Sequence, residues 1–123
     1  MQVIQFKFDN ERPIYLQLVE QLRIAIVSGT YPAGSRLPSV RELAVMARVN
    51  PNTMQKALTE LESDRLIFTE RTNGKFVTND QRLLDKIKTE LASDLVQKYT
   101  SDMAKIGITY ADSNKYLKQL GGQ

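Results

Sequence analysis

The sequence contains no histidine, no cysteine and no tryptophan. Without histidine and cysteine, the chain cannot form Ser–His or Cys–His nucleophile pairs, imidazole or thiolate metal sites, or disulfides. We also find no clustered carboxylates and no glycine-rich phosphate cradle, so the sequence predicts neither an enzyme nor a cofactor or metal site. No apolar run approaches the roughly 20 residues that span a bilayer, so a cytoplasmic protein without a membrane segment is expected.

The positive charge of the chain is concentrated in one stretch. The 123 residues leave room for one domain and an appendage, and the formal net charge is +3 with a pI of about 9.2. Residues 34–56 contain four basic residues and one acid, namely Arg36, Arg41, Arg48, Lys56 and Glu42. Local clustering of this kind is the footprint expected for a nucleic-acid partner.

Residues 39–61 predict two short helices joined by a turn. Ser39 and Glu42 have the spacing of a capping box, in which the serine hydroxyl accepts from the third amide and the glutamate reaches back. Asn50 is placed to cap the second helix, and Pro51 occupies its first position, where a missing N–H costs nothing. Apolar residues recur at helical spacing in both segments: Val40, Leu43, Ala44, Ala47, Met54, Ala57, Leu58 and Leu61.

The opposite face of the second helix is polar and free of acids. It carries Asn52, Thr53, Gln55, Lys56 and Thr59. No acidic residue lies between Glu42 and Glu60. Amide, hydroxyl and ammonium groups suit base edges and phosphates, which repel carboxylates. The second helix therefore has the features of a DNA recognition helix, although capped amphipathic pairs also occur in other small helical domains.

The stretch that follows predicts a β-hairpin. Runs rich in Ile, Phe, Thr and Val at 66–71 and 75–78 flank Thr72-Asn73-Gly74. The Asn-Gly pair predicts a tight turn with positive φ at both residues. A helix-turn-helix followed by a hairpin is a winged helix. In such a fold, Arg71 and Lys75 are expected to lie along the DNA backbone or in a minor groove.

Four separated motifs resemble the GntR family of bacterial transcription regulators. They are RLPSVRELA at 36–44, VNPNT at 49–53, Leu58 with Leu61, and GKFV at 74–77. The VNPNT run and the short C-terminal region resemble the YtrA subfamily, which implies target genes that encode an ABC transporter. One departure concerns the wing. The family often has Arg-Gly-x-Gly-Thr-Phe-Val there, and this chain has Thr72 and Lys75 in place of the first glycine and the threonine.

The candidate DNA contacts lie on the helix pair and the hairpin. Asn52 and Gln55 have amides that can pair with adenine through two hydrogen bonds, and Arg41 can pair in this way with guanine. Arg36 and Ser39 are expected at phosphates, although the Ser39 hydroxyl has an alternative use as a helix cap, as does the Asn50 side chain. The resemblance implies base contacts at Arg41, Pro51, Thr53, Gln55 and the wing tip at Asn73-Gly74. The complete candidate set is Arg36, Ser39, Arg41, Pro51, Asn52, Thr53, Gln55, Lys56, Arg71, Asn73, Gly74 and Lys75.

The N-terminal part of the chain predicts a strand and a helix. Apolar residues alternate at Ile4, Phe6 and Phe8, which is typical of a half-buried strand over residues 3–8. A helix is expected from Pro13 to about Ser28, ended by Gly29. Its predicted buried stripe consists of Tyr15, Leu18, Val19, Leu22, Ala25 and Ile26. Residues 35–37 are expected to add a short strand to the wing.

The C-terminal part predicts one long helix and one short helix. Thr78-Asn79-Asp80 caps the long helix, which ends at Gly107, and Thr109 caps a last helix from Tyr110 to Leu120, closed by Gly121-Gly122. The long helix carries one apolar stripe: Leu84, Ile87, Leu91, Leu95, Tyr99, Met103 and Ile106. A second copy of the chain is the expected cover for this stripe, through a dimerisation surface at Leu84, Ile87, Leu91, Leu95 and Tyr99. The alternative is that the last helix folds back over it.

The predicted fold is mainly α with a small β wing. Residues 1–79 would form the winged helix-turn-helix domain, and residues 80–123 a short helical dimerisation region. The predicted function is a dimeric regulator, expected to repress, that binds a two-fold symmetric double-stranded DNA operator through the helix at 51–63 and the wing at 67–78. A winged-helix module for protein–protein contacts without nucleic acid is the alternative, RNA binding stays open, and a small-molecule effector is undecided.

Overall fold

A computed structural model describes residues 4–121, which form five helices and a two-stranded sheet in these described residues. The elements are α1 (Ile14–Val27), α2 (Val40–Ala47), α3 (Pro51–Ser63), β1 (Ile67–Glu70), β2 (Gly74–Val77), α4 (Gln81–Lys105) and α5 (Tyr110–Gly121). The chain divides into two compact units, one extending to Ile87 and the other beginning at Lys88. The predicted fold class, mainly α with a small β wing, is confirmed.

Helix α3 is the centre of the first unit. It packs against α1, α2 and β1, and its apolar residues Met54, Ala57, Leu58 and Leu61 have no exposed surface. Leu18 and Leu22 of α1 and Leu43 of α2 are likewise fully buried. The predicted stripe of α1 is confirmed, except that Tyr15 is only half-buried. Burial of α3 on one side leaves its other side free to present polar groups.

The predicted starts of α2 and α3 are confirmed in detail. The Ser39 hydroxyl accepts from the Glu42 N–H at 3.1 Å, and Glu42 Oε1 accepts from the Ser39 N–H at 2.9 Å. Asn50 Oδ1 accepts from the Asn52 N–H at 2.7 Å, with Pro51 at the first helical position. Arg48 closes α2 in the left-handed region at φ +57°, which the sequence did not indicate for a residue other than glycine.

The hairpin is confirmed, but the predicted turn type is wrong. Glu70 pairs with Gly74, which leaves a three-residue loop from Arg71 to Asn73. The Asn73 N–H donates to the Glu70 carbonyl at 3.2 Å, and Gly74 follows with φ +98°. Among residues 4–121, Arg48 and Arg65 are the only residues other than glycine with positive φ. This is a three-residue loop closed by a glycine, which needs one positive φ where a two-residue turn needs two.

A third segment joins the wing, as predicted. Arg36 forms an isolated antiparallel bridge with Phe76. The Leu37 N–H donates to the Lys75 carbonyl at 2.8 Å, and the Val77 N–H donates to the Ser35 carbonyl at 2.9 Å. The bridge ties the segment that leads into α2 to the second strand of the wing.

The predicted N-terminal strand is wrong for its described part, residues 4–8; Val3 lies outside the described residues. Ile4, Phe6 and Phe8 do pack against the core, so the alternation was interpreted correctly. The backbone partners are side chains of α1 and not a strand. The Gln21 amide bonds to both the N–H and the carbonyl of Lys7, and Gln17 bonds in the same way to Asp9. Because its backbone groups pair with side-chain amides and not with a neighbouring strand, this extended segment is not part of a sheet.

Helix α4 is capped as predicted, because Asp80 Oδ1 accepts from the Leu83 N–H at 3.2 Å. Its first two turns belong to the first unit, where Leu84 is 7% exposed and Ile87 is partly buried against the core. The structure therefore corrects the dimerisation set, since the Leu84 side chain is buried by its own chain and Ile87 is largely used in the same way. The predicted domain boundary at 79–80 stays a prediction.

The second unit leaves much of its apolar surface exposed. Leu95 and Val96 are 68% and 55% exposed, so α5 does not fold back over this part of the stripe. Leu91 and Tyr99 are half-buried. The Thr109 hydroxyl caps α5 as predicted, accepting from the Asp112 N–H at 3.2 Å. The helix runs through Gly121, and Gly122 lies outside the described residues. None of the described helices is long and apolar enough to cross a membrane.

Candidate nucleic-acid interface

The exposed side of α3 carries most of the predicted contacts. Pro51, Asn52, Gln55 and Lys56 are exposed, and Thr53 is half-buried. Asn50 is used as the helix cap, which leaves Asn52 as the free amide of the first turn. The amide nitrogen of Gln55 lies 3.3 Å from the Thr59 hydroxyl, which itself donates to the Gln55 carbonyl at 2.9 Å. Thr59 therefore orients Gln55 along the helix surface.

Lys56 lies at the edge of this surface, next to α1. Its ammonium group stands 3.8 Å from the centre of the Tyr15 ring, a cation–π contact. The predicted positive charge is exposed, but it is held over α1 and not in line with Gln55. Tyr15 was predicted only as a core residue, because a stripe of apolar positions does not reveal that one face of its ring meets a cation.

A groove of about 290 Å³ lies between the start of α2 and the wing. Five of the predicted contacts line it, namely Arg36, Ser39, Arg71, Gly74 and Lys75. The guanidinium of Arg36 lies against Gly74. The Ser39 hydroxyl is occupied by its capping bond, which favours the structural alternative for this residue.

Three predicted contacts on α2 and in the wing loop are exposed to solvent. Arg41 is exposed in the first turn of α2, and Arg71 and Asn73 are exposed in the wing loop. Neither arginine forms a hydrogen bond or ion pair with other residues of the described range 4–121. The Asn73 amide donates to Glu70 Oε2 at 3.2 Å. Two unpaired guanidinium groups on these elements make the surface attractive to anions.

The one acid near the start of α2 is held in its charged form. Glu42 accepts the backbone N–H of Ser39, and this bond, with the Ser39 side chain, lowers the pKa of the carboxyl below its ordinary value. The charge sits at the positive end of the helix dipole, where it stabilises α2. It is therefore part of the scaffold of the groove.

Lys75 is placed differently from the prediction. Its ammonium group lies 3.0 Å from Glu62 Oε1 and 2.9 Å from the Thr69 hydroxyl, and its side chain is 16% exposed. The ammonium group of Lys75 is thus directed towards α3, and the residue also contributes to the lining of the groove between α2 and the wing. Glu62 and Thr69 were not among the predicted site residues, because their meeting depends on how the wing packs on α3.

Three packed helices, a hairpin wing and an exposed face on the second motif helix that carries no acid from Pro51 to Thr59 define a winged helix-turn-helix protein that binds DNA. Residues 14–77 match the family of bacterial regulatory proteins described as the gntR family. The chain belongs to this family and is a transcription regulator with a DNA-binding domain, and its similarity to proteins named YtrA supports the YtrA subfamily.

Relatives span almost the whole chain. The HTH-type transcriptional repressor YtrA of Bacillus subtilis is 30% identical over 119 residues, which are 96% of this chain and 92% of that protein. A GntR family transcriptional regulator from Listeria monocytogenes has 41% identity and a TM-score of 0.85, covering 92% of this chain and 99% of that chain. The DNA-binding domain of AraR in complex with operator ORX1 has 26% identity and a TM-score of 0.55, covering 58% of this chain and 93% of that chain.

Proposed function

We propose that the protein is a homodimeric repressor that acts in the cytoplasm. It binds a two-fold symmetric operator through the helix at 51–63 and the wing at 67–78, and it has no enzymatic activity. In this proposal α3 lies in the major groove, and the wing with Arg36 follows the adjacent backbone.

The proposal rests on one exposed row of residues, formed by Pro51, Asn52 and Gln55. These residues stand on the free side of a helix whose other side is fully buried, so their positions are rigid. The first turn of α3 contains no acid that would repel phosphates. A carboxamide can satisfy both the donor and the acceptor of an adenine edge, which makes Asn52 and Gln55 the proposed base readers. Arg41 and Arg71, with free guanidinium groups, are the proposed contacts at guanine and phosphate.

The C-terminal unit supports the homodimer. It exposes Leu95, Val96, Ile106, Leu117 and Leu120, each at least half exposed. Apolar side chains in such number on a short unit are stabilised when a second copy covers them. Two linked recognition helices read a two-fold site, and the linkage raises the affinity for the pair of half-sites. The name of the related YtrA protein supports repression as the sign of regulation.

Selection of bound fragments from random duplex DNA tests the proposal, combined with sedimentation of the free protein. We expect a consensus with two inverted half-sites and a protein that sediments as a dimer at micromolar concentration. The matched variants are Gln55→Ala on the proposed reading surface and Gln5→Ala at an exposed residue of the extended N-terminal segment. A consensus without inverted symmetry, or a monomer bound to a single site, would contradict the proposed dimeric mode.

A further inference from the structure

We infer that Lys75 is a positioning residue that neutralises Glu62 of the recognition helix, and that it is not a contact to DNA phosphates. The inference rests on the proposed binding of α3 and the wing to an operator. It concerns the position where the wing of this chain has lysine and the family often has threonine. The bridge from wing to helix holds the wing at a defined distance from α3.

Three polar side chains form the bridge. Lys75 Nζ lies 3.0 Å from Glu62 Oε1 and 2.9 Å from Thr69 Oγ1, and the Thr69 hydroxyl lies 3.1 Å from the same Glu62 oxygen. Each of the three groups therefore contacts the other two. The side chains of Lys75 and Glu62 are 16% and 38% exposed, so the pair is more shielded than the other ion pairs of the described residues.

The register of the hairpin explains the direction of Lys75. Thr69 faces Lys75 across the strands, and Ile67 faces Val77. Because side chains alternate between the faces of a strand, Lys75 shares a face with Val77, which is fully buried beneath the wing. The lysine stem is thereby directed towards α3, and its ammonium group ends at Glu62. The other face carries the stacked rings of Phe68 and Phe76, 5.9 Å apart.

The bridge affects DNA binding through the charge of Glu62. Glu62 lines the open groove between α3 and the wing, together with Gln55, Thr59, Ser63, Thr69 and Lys75. Gln55 belongs to the proposed reading surface, so an unpaired carboxylate in the same groove would face the DNA. It would repel the phosphates at a range that salt screens only in part. Lys75 cancels this charge, and the pair adds nothing to the net charge that DNA meets.

A double-mutant cycle separates a counterion from a phosphate contact. The variants are Lys75→Met, which keeps an unbranched stem, Glu62→Gln, and the two combined; Lys75→Arg is the conservative variant. Affinity for the selected operator is measured from about 50 to 200 mM salt. We expect Lys75→Met to weaken binding about five- to tenfold, because it leaves Glu62 unpaired. The combined variant should recover to within about twofold of the wild type with the same salt dependence, and Lys75→Arg should bind like the wild type.

Loss of a phosphate contact would give another result. The combined variant would then stay as weak as Lys75→Met, and its salt slope would be shallower than that of Glu62→Gln by about 0.9. That outcome would overturn the inference. The variant Lys118→Met, which removes an exposed lysine from α5, controls for the general loss of one positive charge. Failure of the proposed dimeric mode is recognised separately, in the wild-type protein alone, as binding to a site without inverted symmetry.

Discussion

The guanidinium of Arg36 lies against Gly74 at the start of the second wing strand. A β-carbon added at Gly74 would stand 3.2 Å from Nε and 3.4 Å from Nη2 of Arg36. The absence of a side chain at Gly74 therefore makes room for the arginine that the groove presents. Gly74 serves the hairpin as well, because its φ of +98° is a conformation that other residues rarely adopt.

Gly74→Ala should weaken operator binding while the helix content stays that of the wild type. The new methyl group must displace Arg36, and the positive φ costs about 1–2 kcal/mol of folding free energy. Fluorescence anisotropy and circular dichroism measure the two effects. The matched control is Gly29→Ala, where φ is +86° and a β-carbon would meet nothing within 4 Å. If both variants bound the operator with wild-type affinity, Arg36 and the wing tip would have no part in binding.

Gln55→Ala should reduce affinity for the specific operator by about 1–3 kcal/mol and leave random duplex DNA almost unaffected. The side chain stands on the exposed face of α3, where Thr59 orients it, and its removal leaves a base edge without a partner. Titration of both DNAs at one salt concentration gives the ratio of specific to non-specific affinity for each variant. Gln5→Ala, at an exposed residue of the extended N-terminal segment, should change neither affinity. Equal losses on the two DNAs would show that Gln55 does not read bases.

Glu42→Gln should lower the free energy of unfolding at pH 7 and should lose this effect in acid. Hydrogen bonds with Ser39 lower the pKa of the Glu42 carboxyl in the folded protein. The charged carboxylate therefore stabilises the fold fully above pH 4.5, its ordinary pKa, and this stabilisation is lost as the pH falls through the lower pKa of the folded protein. Urea unfolding of both proteins between pH 7 and pH 3 tests this expectation. Glu90→Gln, an exposed position on α4, controls for the loss of a carboxylate. A difference that persisted unchanged in acid would show that the charge of Glu42 is irrelevant.

Leu95→Asp should convert the proposed dimer into a folded monomer. Leu95 is 68% exposed in the second unit, and an aspartate there would place two charges in the proposed dimer contact. Sedimentation at micromolar concentration and thermal unfolding distinguish association from folding. Ile24→Asp, at a residue of α1 that is 53% exposed, should leave the dimer intact.

The contrasting variant is Leu84→Asp, which should unfold the first unit because Leu84 is buried in its core. A Leu95→Asp protein that still sedimented as a dimer would place the contact elsewhere.

Local features of the molecule followed from the sequence alone. The Ser39–Glu42 capping box and the Asn50–Pro51 helix start each join groups within a few residues, so their residue types and spacing were sufficient to predict them. The helix stripes that form the core were predictable for the same reason, since period 3.6 is a property of one segment. The absence of acids from the first nine residues of α3, Pro51 to Thr59, also required nothing beyond the residue order.

Only the tertiary structure decided which distant groups meet. Lys75 was predicted to lie along the DNA backbone or in a minor groove, whereas its ammonium group meets Glu62, because its direction depends on a loop of three residues and on the packing of the hairpin against α3. Leu84 fits a dimer stripe as well as it fits a core, and only the structure shows that the first turns of α4 are part of the first unit, where Leu84 is buried. Residues 4–8 have the alternation of a strand, but pairing needs a neighbouring strand, and the backbone of Lys7 pairs instead with the side-chain amide of Gln21. A periodic pattern predicts which side of a segment is buried, but which part of the molecule buries that side depends on the whole fold.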